Sequence, residues 1–389
     1  MPPIKVLHLI PTLSSGGAER QLVNLIHNTS REIINHVVCV IGEADFFAPN
    51  IREANYKVVE MGIFAKHPFF RAALKFRQVV REEKPDIIHT WLYDANISAR
   101  LASILSDKIP IVTSLQLADY EPEAGRIGNY NPHKVRALRA IDKFTSIVTK
   151  PYFVPCSYFV KNSYQRLYGT NEMKTQVIYN SVDPDLLAVS ANDVQKIREN
   201  LGLSSDAFIY LNVGRLDPQK NHKVLFESFR QVSAEIPNAF LLLVGVGSLE
   251  KELKNLAENL EIDKKIVFLG RRKDVNALLE LADVFVFPSF HEGLPVALVE
   301  AMFKSLPCIA SRIEVFEEVI SDGKMGWLID PTSADELKDA MIELYKNADL
   351  RKTLGENAFQ QAQTKFNAAT SAGQWEKFYQ KVKSESKTP

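Results

Sequence analysis

Short apolar runs alternate with longer, charged runs of helical period along almost the whole chain, and few folds tolerate that arrangement. Val6–Ile10, Val37–Ile41, Val58–Met61, Ile87–Thr90 and Ile111–Ser114 are rich in β-branched residues. Periodic segments such as Arg71–Glu83 and Asn96–Leu105 lie between them. Strands buried on both faces read as near-continuous apolar runs, and the helices between them supply the cover. The pattern therefore predicts parallel sheets of the α/β class.

A second series follows Asp183: Ile209–Val213, Phe240–Val244, Ile266–Leu269, Val284–Phe287, Cys308–Ala310 and Gly326–Ile329, with helical runs at His222–Glu235, Leu249–Leu260 and Pro295–Phe303. The turn-rich segment Tyr179–Asp185 separates the two series and reads as a hinge. A length of 389 residues suits two domains of ordinary size. The expectation is two doubly wound α/β domains facing a central cleft, residues 1–183 and 184–366. Residues 367–389 form a last helix whose Trp375, Phe378 and Tyr379 dock back on the first domain. Ser333 and Glu336 have the spacing of a capping box opening Ala334–Lys346.

Charge narrows the function classes. Lys and Arg number 47, as do Asp and Glu, so a general nucleic-acid role has no electrostatic support. Up to Asp183 there are 22 cations against 17 anions; beyond it, 25 against 30. A basic front half and an acidic back half suit two domains with different partners. Cys39, Cys156 and Cys308 are far apart, without metal or disulfide spacing, and read as reduced core residues. No apolar stretch reaches the ~20 residues of a spanning helix, and the N-terminus reads as a strand rather than a signal peptide. These features predict a cytoplasmic protein, with the membrane surface open to it.

Several loops at strand C-termini could carry chemistry. Leu13–Arg20 contains Gly16 and Gly17 and opens a helix, where free N–H groups attract an anion. It lacks the Gly-x-Gly-x-x-Gly of a dinucleotide site. The loop Asn212–Asn221 carries Arg215 and Lys220, five residues apart, which can close on one diphosphate. Gly245 and Gly247 mark a third loop, and Gly270–Asp274 a fourth, basic one. Each alone reads equally well as a solvated turn. Together they lie at one end of their sheets, where open α/β folds bind ligands.

The sharpest signal is Glu292-Gly293-Leu294-Pro295, followed by Glu300. Val296, Val299 and Phe303 share a helical stripe, and Pro295 suits a first helical position. Glu292 then lies in a strand-to-helix loop and Glu300 two turns on, on nearly the same face. A carboxylate at Glu300 can take the two hydroxyls of a ribose. Glu292 could hold sugar hydroxyls or face a developing oxocarbenium ion. The N–H groups of Gly293 and Leu294 add anion contacts.

In order along the chain, Ser15–Arg20, Val213–Lys220, Phe268–Arg271 and Glu292 through Glu300 resemble glycosyltransferase family 4, built on the GT-B fold. The resemblance implies a retaining transferase that uses a nucleotide-diphosphate sugar, with no cofactor and no essential metal. It implies that Arg215, Lys220 and Glu292 are catalytic. The donor would be held by Gly16, Gly17, Arg215, Lys220, Gly245, Arg271, Glu292, Gly293, Leu294, Pro295 and Glu300. The acceptor implied is a glycan or lipid-linked glycan, in cell-surface polysaccharide or lipid-linked oligosaccharide biosynthesis. Acceptor-side candidates are Gln116, Asp119 and Arg20. Gln116 takes the place where many members carry a His, and Gln can hydrogen-bond but not ionise. His89 and His133 are further candidates for that role. Another GT-B enzyme, such as a nucleotide-sugar epimerase or a phosphorylase, stays open, as does a binding protein that has lost catalysis. Asp183-Pro184-Asp185 imitates a metal-binding pair but sits in the hinge, where a turn is expected.

Phe64–Arg81 interleaves Phe64, Phe69, Phe70, Leu74 and Phe76 with Lys66, Arg71, Lys75, Arg77 and Arg81. A basic, aromatic, amphipathic helix suits an anionic membrane surface, extended by Arg136, Arg139, Lys143 and Lys150. The alternative is an ordinary helix with its aromatics in the core.

Overall fold

The computed structural model describes residues 2–65, 68–104, 109–118, 132–169 and 174–386. The described chain forms two compact units. Unit 1 comprises residues 2–118, 132–181 and the C-terminal segment from Ala368; unit 2 is Val182–Asn367.

Unit 1 holds a six-stranded parallel sheet in the order β3-β2-β1-β4-β5-β6. The strands are β1 (Ile4–Ile10), β2 (Ile34–Val40), β3 (Lys57–Glu60), β4 (Ile87–Trp91), β5 (Ile111–Leu115) and β6 (Tyr152–Pro155). The sequence pattern yields five of these. β6 escapes it because Pro151 and Pro155 bracket three apolar residues. As the edge strand, β6 accommodates a proline that a central strand would not. The helices are α1 (Gly17–Asn28), α2 (Ala48–Glu53), α3 (Phe69–Glu83), α4 (Tyr93–Ile104), α5 (Pro132–Thr149) and α6 (Tyr158–Tyr168). Ala72, Ala73 and Phe76 of α3 pack with Ala95 and Ala99 of α4 on one face of the sheet. Leu22 and Ile26 of α1 and Ile51 of α2 pack on the other.

Unit 2 repeats the winding. Its order is β12-β11-β10-β7-β8-β9, all parallel. The strands are β7 (Phe208–Val213), β8 (Ala239–Val244), β9 (Ile266–Gly270), β10 (Val284–Phe287), β11 (Cys308–Ser311) and β12 (Trp327–Ile329). The helices are α7 (Ala191–Asn200), α8 (His222–Glu235), α9 (Glu250–Asn259), α10 (Val275–Leu281), α11 (Val296–Phe303), α12 (Glu314–Val319), α13 (Ala334–Lys346) and α14 (Ala348–Lys365). Each sheet starts in its middle, winds out one way, then returns and winds out the other. Ser333 Oγ accepts from Glu336 N at 3.1 Å, while the Glu336 carboxylate accepts from Asp330 N rather than closing the box on Ser333. Asp183 caps a turn over Pro184–Leu187, its carboxylate accepting from Asp185 N.

The last helix, α15 (Ala368–Glu385), belongs to unit 1. Trp375, Phe378, Tyr379 and Val382 are buried in its core. Burying each side chain stabilises by about 2 kcal/mol. That core is also polar in an orderly way. Trp91 Nε1 donates to His8 Nδ1 at 3.1 Å, which makes His8 Nε2 the donor to His36 Nδ1 at 2.8 Å. His36 Nε2 in turn donates to Thr29 Oγ1 at 2.7 Å, and Thr29 donates to the Leu25 carbonyl. His89 is bonded to Tyr379 and Ser114, both at 2.7 Å. All three imidazoles are fully buried, and burial pushes each pKa down, that of His36 to about 3. Cys39, Cys156 and Cys308 are buried free thiols.

Candidate functional site

In unit 2, β7 and β10 are neighbours from which the chain winds in opposite directions. A crevice opens at the carboxyl ends of such a pair. The loop after β7 carries Arg215 and Lys220; the loop after β10 carries Glu292. A short 3-10 turn, Pro218–Lys220, ends at Asn221, whose φ of 56° turns the chain into α8.

Three consecutive residues stitch the two loops together. Gln219 accepts from Phe290 N at 2.9 Å and donates its amide to the His291 carbonyl. Asn221 donates to Pro288 O at 3.0 Å and to Pro331 O at 2.7 Å. Between them, Lys220 Nζ lies 2.5 Å from Glu292 Oε1. Both side chains are nearly buried, at 11% and 9% exposure, so each charge is compensated by the other. The ammonium also sits 4.6 Å from the centre of the Phe287 ring. The stem of Lys220 passes Gly214 so closely that a Cβ there would meet its Cε at 3.2 Å.

Arg215 behaves differently. Its guanidinium is 73% exposed and paired with Asp217 at 3.0 Å. The two sequence-selected cations are therefore one buried and one solvated. His291 through Pro295 are all buried. Pro295 is the N-cap of α11, one position before the expected first turn. Glu300 is buried within that helix at 4% exposure, rather than on a solvated face.

Gly245 has φ 142°, and a Cβ on it would fall 1.9 Å from the Gly214 carbonyl oxygen. This glycine lets the loop after β8 press on the loop after β7. Gly214 N bonds Val244 O, Leu216 N bonds Val246 O, and Gly245 N bonds Gly270 O, which ties three strand-end loops into one sheet-top layer. Arg271 is exposed beyond Gly270, and Arg272 pairs with Asp274 at 2.6 Å.

Sequence reasoning missed several neighbours. His222, the first residue of α8, is buried with both ring nitrogens unpartnered, and burial followed by the Lys220 charge lowers its pKa to about 4. The hydroxyls of Ser289 and Ser311, just past β10 and at the end of β11, are also buried without partners. The clamp by Gln219 and Asn221 went unread too. Its signal was the run of polar residues around a cation at a strand-to-helix turn.

In unit 1, Gly16 is the N-cap of α1 and Gly17 its first residue. The Glu19 carboxylate folds back over them, accepting from Thr12 Oγ1 at 2.9 Å and Ser14 Oγ at 3.2 Å. A Cβ on Gly16 would meet Glu19 Oε2 at 2.2 Å, so the glycine makes room for that carboxylate. An anion thus already stands at the α1 N-terminus. Arg20 is half-buried on the same turn. Gln116 follows β5 and lines a small cavity with Gln21, Asn24, Asn180 and Ser181. Gln21 and Asn24 hold Ser181 there: Gln21 accepts from Ser181 N at 2.7 Å, and both amides donate to Ser181 O at 2.8 Å. Asp119 lies outside the described residues, as does Lys66. His89 is sealed in the core with Tyr379, whereas His133 is exposed on α5.

Among the described residues no group of three or more His, Cys, Asp or Glu could hold a metal ion, and no helix is long and apolar enough to cross a membrane.

Residues 15–186 match the profile of Glycosyltransferase Family 4, and residues 193–361 that of Glycosyl transferases group 1. N-acetyl-alpha-D-glucosaminyl L-malate synthase of Bacillus anthracis is 27% identical over 86% of this chain and 85% of its own length. An Escherichia coli UDP-Gal:alpha-D-GlcNAc-diphosphoundecaprenol alpha-1,3-galactosyltransferase is 27% identical over 70% of each chain. The crystal structure of Anabaena Alr3699/HepE, in complex with UDP and glucose, superposes with a TM-score of 0.84 at 22% identity, covering 97% of this chain and all of that one.

Proposed function

Given that the chain belongs to the family-4 glycosyltransferases of the GT-B fold, we propose that it transfers a sugar from a UDP- or GDP-sugar, with retention, to a hydroxyl of a glycan or lipid-linked acceptor. The observation that carries this reading is the Lys220–Glu292 pair, held at the switch point of unit 2 by Gln219 and Asn221. A cation and a carboxylate side by side suit a diphosphate and its sugar side by side.

Unit 2 holds the donor and unit 1 the acceptor. Arg215 and Lys220 take the diphosphate, Glu300 the ribose, and Glu292 the donor sugar. The bond between the anomeric carbon and the phosphate oxygen breaks, and its electron pair leaves with the nucleotide diphosphate. The acceptor oxygen bonds that carbon from the same face. Its proton passes to the departing phosphate oxygen. Arg215, Lys220 and the N–H groups ahead of α11 stabilise the charge that develops there. The reaction so written uses no metal or cofactor.

The acceptor side draws on Gln116 and Arg20. Similarity to a relative acting on a diphosphoundecaprenol sugar supports a lipid-linked acceptor for polysaccharide or oligosaccharide assembly. The protein then works peripherally at the inner face of the cytoplasmic membrane, with residues 64–81 toward anionic lipid. Phe64, Phe70 and Leu74 are exposed at 81%, 76% and 64%.

Nucleotide release from a panel of UDP- and GDP-sugars, with and without acceptor, tests the reading. Acceptor-dependent release with a new α-linked glycoside is expected from an α-linked donor. Release that requires inorganic phosphate, or an interconverted donor with no glycoside, would overturn it.

A further inference from the structure

Helix α5 is packed inside out. Its buried side chains include Asp142 and Thr145. Asp142 pairs with Arg100 of α4 at 2.5 Å, and both are almost fully buried. Tyr93 of α4 donates to the Leu138 carbonyl at 2.7 Å. Polar groups therefore hold this helix down. Its apolar residues Ile141, Phe144, Ile147 and Val148 face outward, at 39%, 65%, 60% and 48% exposure. At 3.6 residues per turn these four fall within about a third of the helical circumference. Amphipathic helices of soluble domains bury that stripe and expose the polar one.

The cations are ordered as well. Arg136 and Lys143 are exposed and project along one flank of the apolar arc, exposed Lys134 along the other, and exposed Lys150 directly follows the helix. The only carboxylate on α5 is Asp142, buried and neutralised by Arg100. Helix α3, which packs on α4 as α5 does, adds exposed Phe70 and Leu74 beside exposed Arg71 and Lys75.

We infer that α5 is an interfacial insertion helix: Ile141, Phe144, Ile147 and Val148 enter an anionic lipid surface while Arg136, Lys143 and Lys150 meet its headgroups. An apolar arc beside a cationic flank is what a helix lying in that plane presents. The face offers a partner apolar area and positive charge, with almost no hydrogen-bonding pattern for a protein to read. The Arg100–Asp142 pair sets the rotation of the helix, so that its apolar side points out. The inference deepens the membrane reading made for residues 64–81 and rests on that reading for its partner.

The test uses the full chain with Ile147→Cys carrying an environment-sensitive fluorophore; the native cysteines are buried. Vesicles are phosphatidylcholine with or without phosphatidylglycerol. A blue shift is expected only with the anionic vesicles, together with co-sedimentation that weakens in high salt. Phe144→Glu should lower partitioning roughly tenfold or more, while nucleotide release from a soluble donor stays unchanged. Co-sedimentation without a blue shift would overturn insertion by α5 and leave the membrane reading standing. No co-sedimentation would overturn both. A blue shift that grows with protein concentration, without vesicles, would assign the face to a second copy of the chain and overturn the inference.

Discussion

Lys220 and Glu292, separated by 72 residues in sequence, meet at 2.5 Å in a nearly buried ion pair between the loops after β7 and β10. Each is the other's main compensation for leaving water. Removing one partner of such a pair leaves an uncompensated charge, which is far worse than removing both.

Lys220→Ala is therefore expected to abolish transfer and also to destabilise unit 2, by about 3–5 kcal/mol. The double variant Lys220→Met with Glu292→Leu should be equally inactive but less destabilised than the sum of the two single changes. Urea unfolding of the four proteins reads this directly. Additive losses would mean that the pair is not coupled.

Glu300→Ala should lower kcat/KM at least ~10-fold, because a charged hydrogen bond is worth roughly 1.5–3 kcal/mol. The far-ultraviolet circular dichroism should be unchanged. Glu300→Gln should retain part of the activity and show its deficit mainly in donor KM. Near-wild-type turnover of the alanine variant would remove Glu300 from the donor site.

Acid should loosen unit 1 in a calculable way. His8, His36 and His89 are neutral in the fold, with pKa values pushed down, whereas an unfolded histidine titrates at about 6.5. Below that pH the unfolded chain binds protons that the fold refuses. The stability they contribute is complete above about pH 6.5 and is lost as pH falls toward the folded values. At pH 5 the loss is about 2 kcal/mol for His36, and His8 and His89 add in the same direction. His222 in unit 2, lowered to about 4, adds in the same direction. Thermal melts between pH 7.5 and 5 should fall steadily; a flat profile would contradict the buried neutral assignment.

Two glycine substitutions should move in opposite directions. A Cβ on Gly247 would lie 2.2 Å from Leu216 O, so Gly247→Ala should cost about 1–3 kcal/mol. It should also raise donor KM by displacing the neighbouring Arg215. Gly373, in α15, has nothing within 4 Å of its virtual Cβ, and Gly373→Ala should stabilise by about 0.5–1 kcal/mol. Calorimetry on both variants, with kinetics on the first, checks the pair.

The winding of both sheets was legible because parallel strands buried on two faces must be apolar throughout. The strand-end loops were legible because glycines and cations at strand-to-helix junctions are few. β6 was not, since three apolar residues between prolines fall below any period. The mutual pairing of Lys220 and Glu292 could not be read either, as it depends on β7 lying beside β10. Gly16 and Gly17 suggested an open anion site; that the nearby Glu19 turns back onto them is a side-chain conformation, which sequence period does not encode. The cations of α5 were visible, but the direction of its apolar arc was not, because it is set by Arg100 on another helix.

The interrupted course of unit 1 has a consequence for how the protein is made. Val182–Asn367 is one continuous stretch, so unit 2 has all its parts once that stretch has left the ribosome. Unit 1 begins first yet finishes last, because Trp375, Phe378 and Tyr379 arrive only with the final helix. Until then His89 lacks its tyrosine, and the face of the first sheet that carries α1 and α2 is only partly covered. Nascent unit 1 is thus the natural client of a chaperone that shields apolar surface. A stop codon anywhere before α15 would harm the half of the protein that was synthesised earliest.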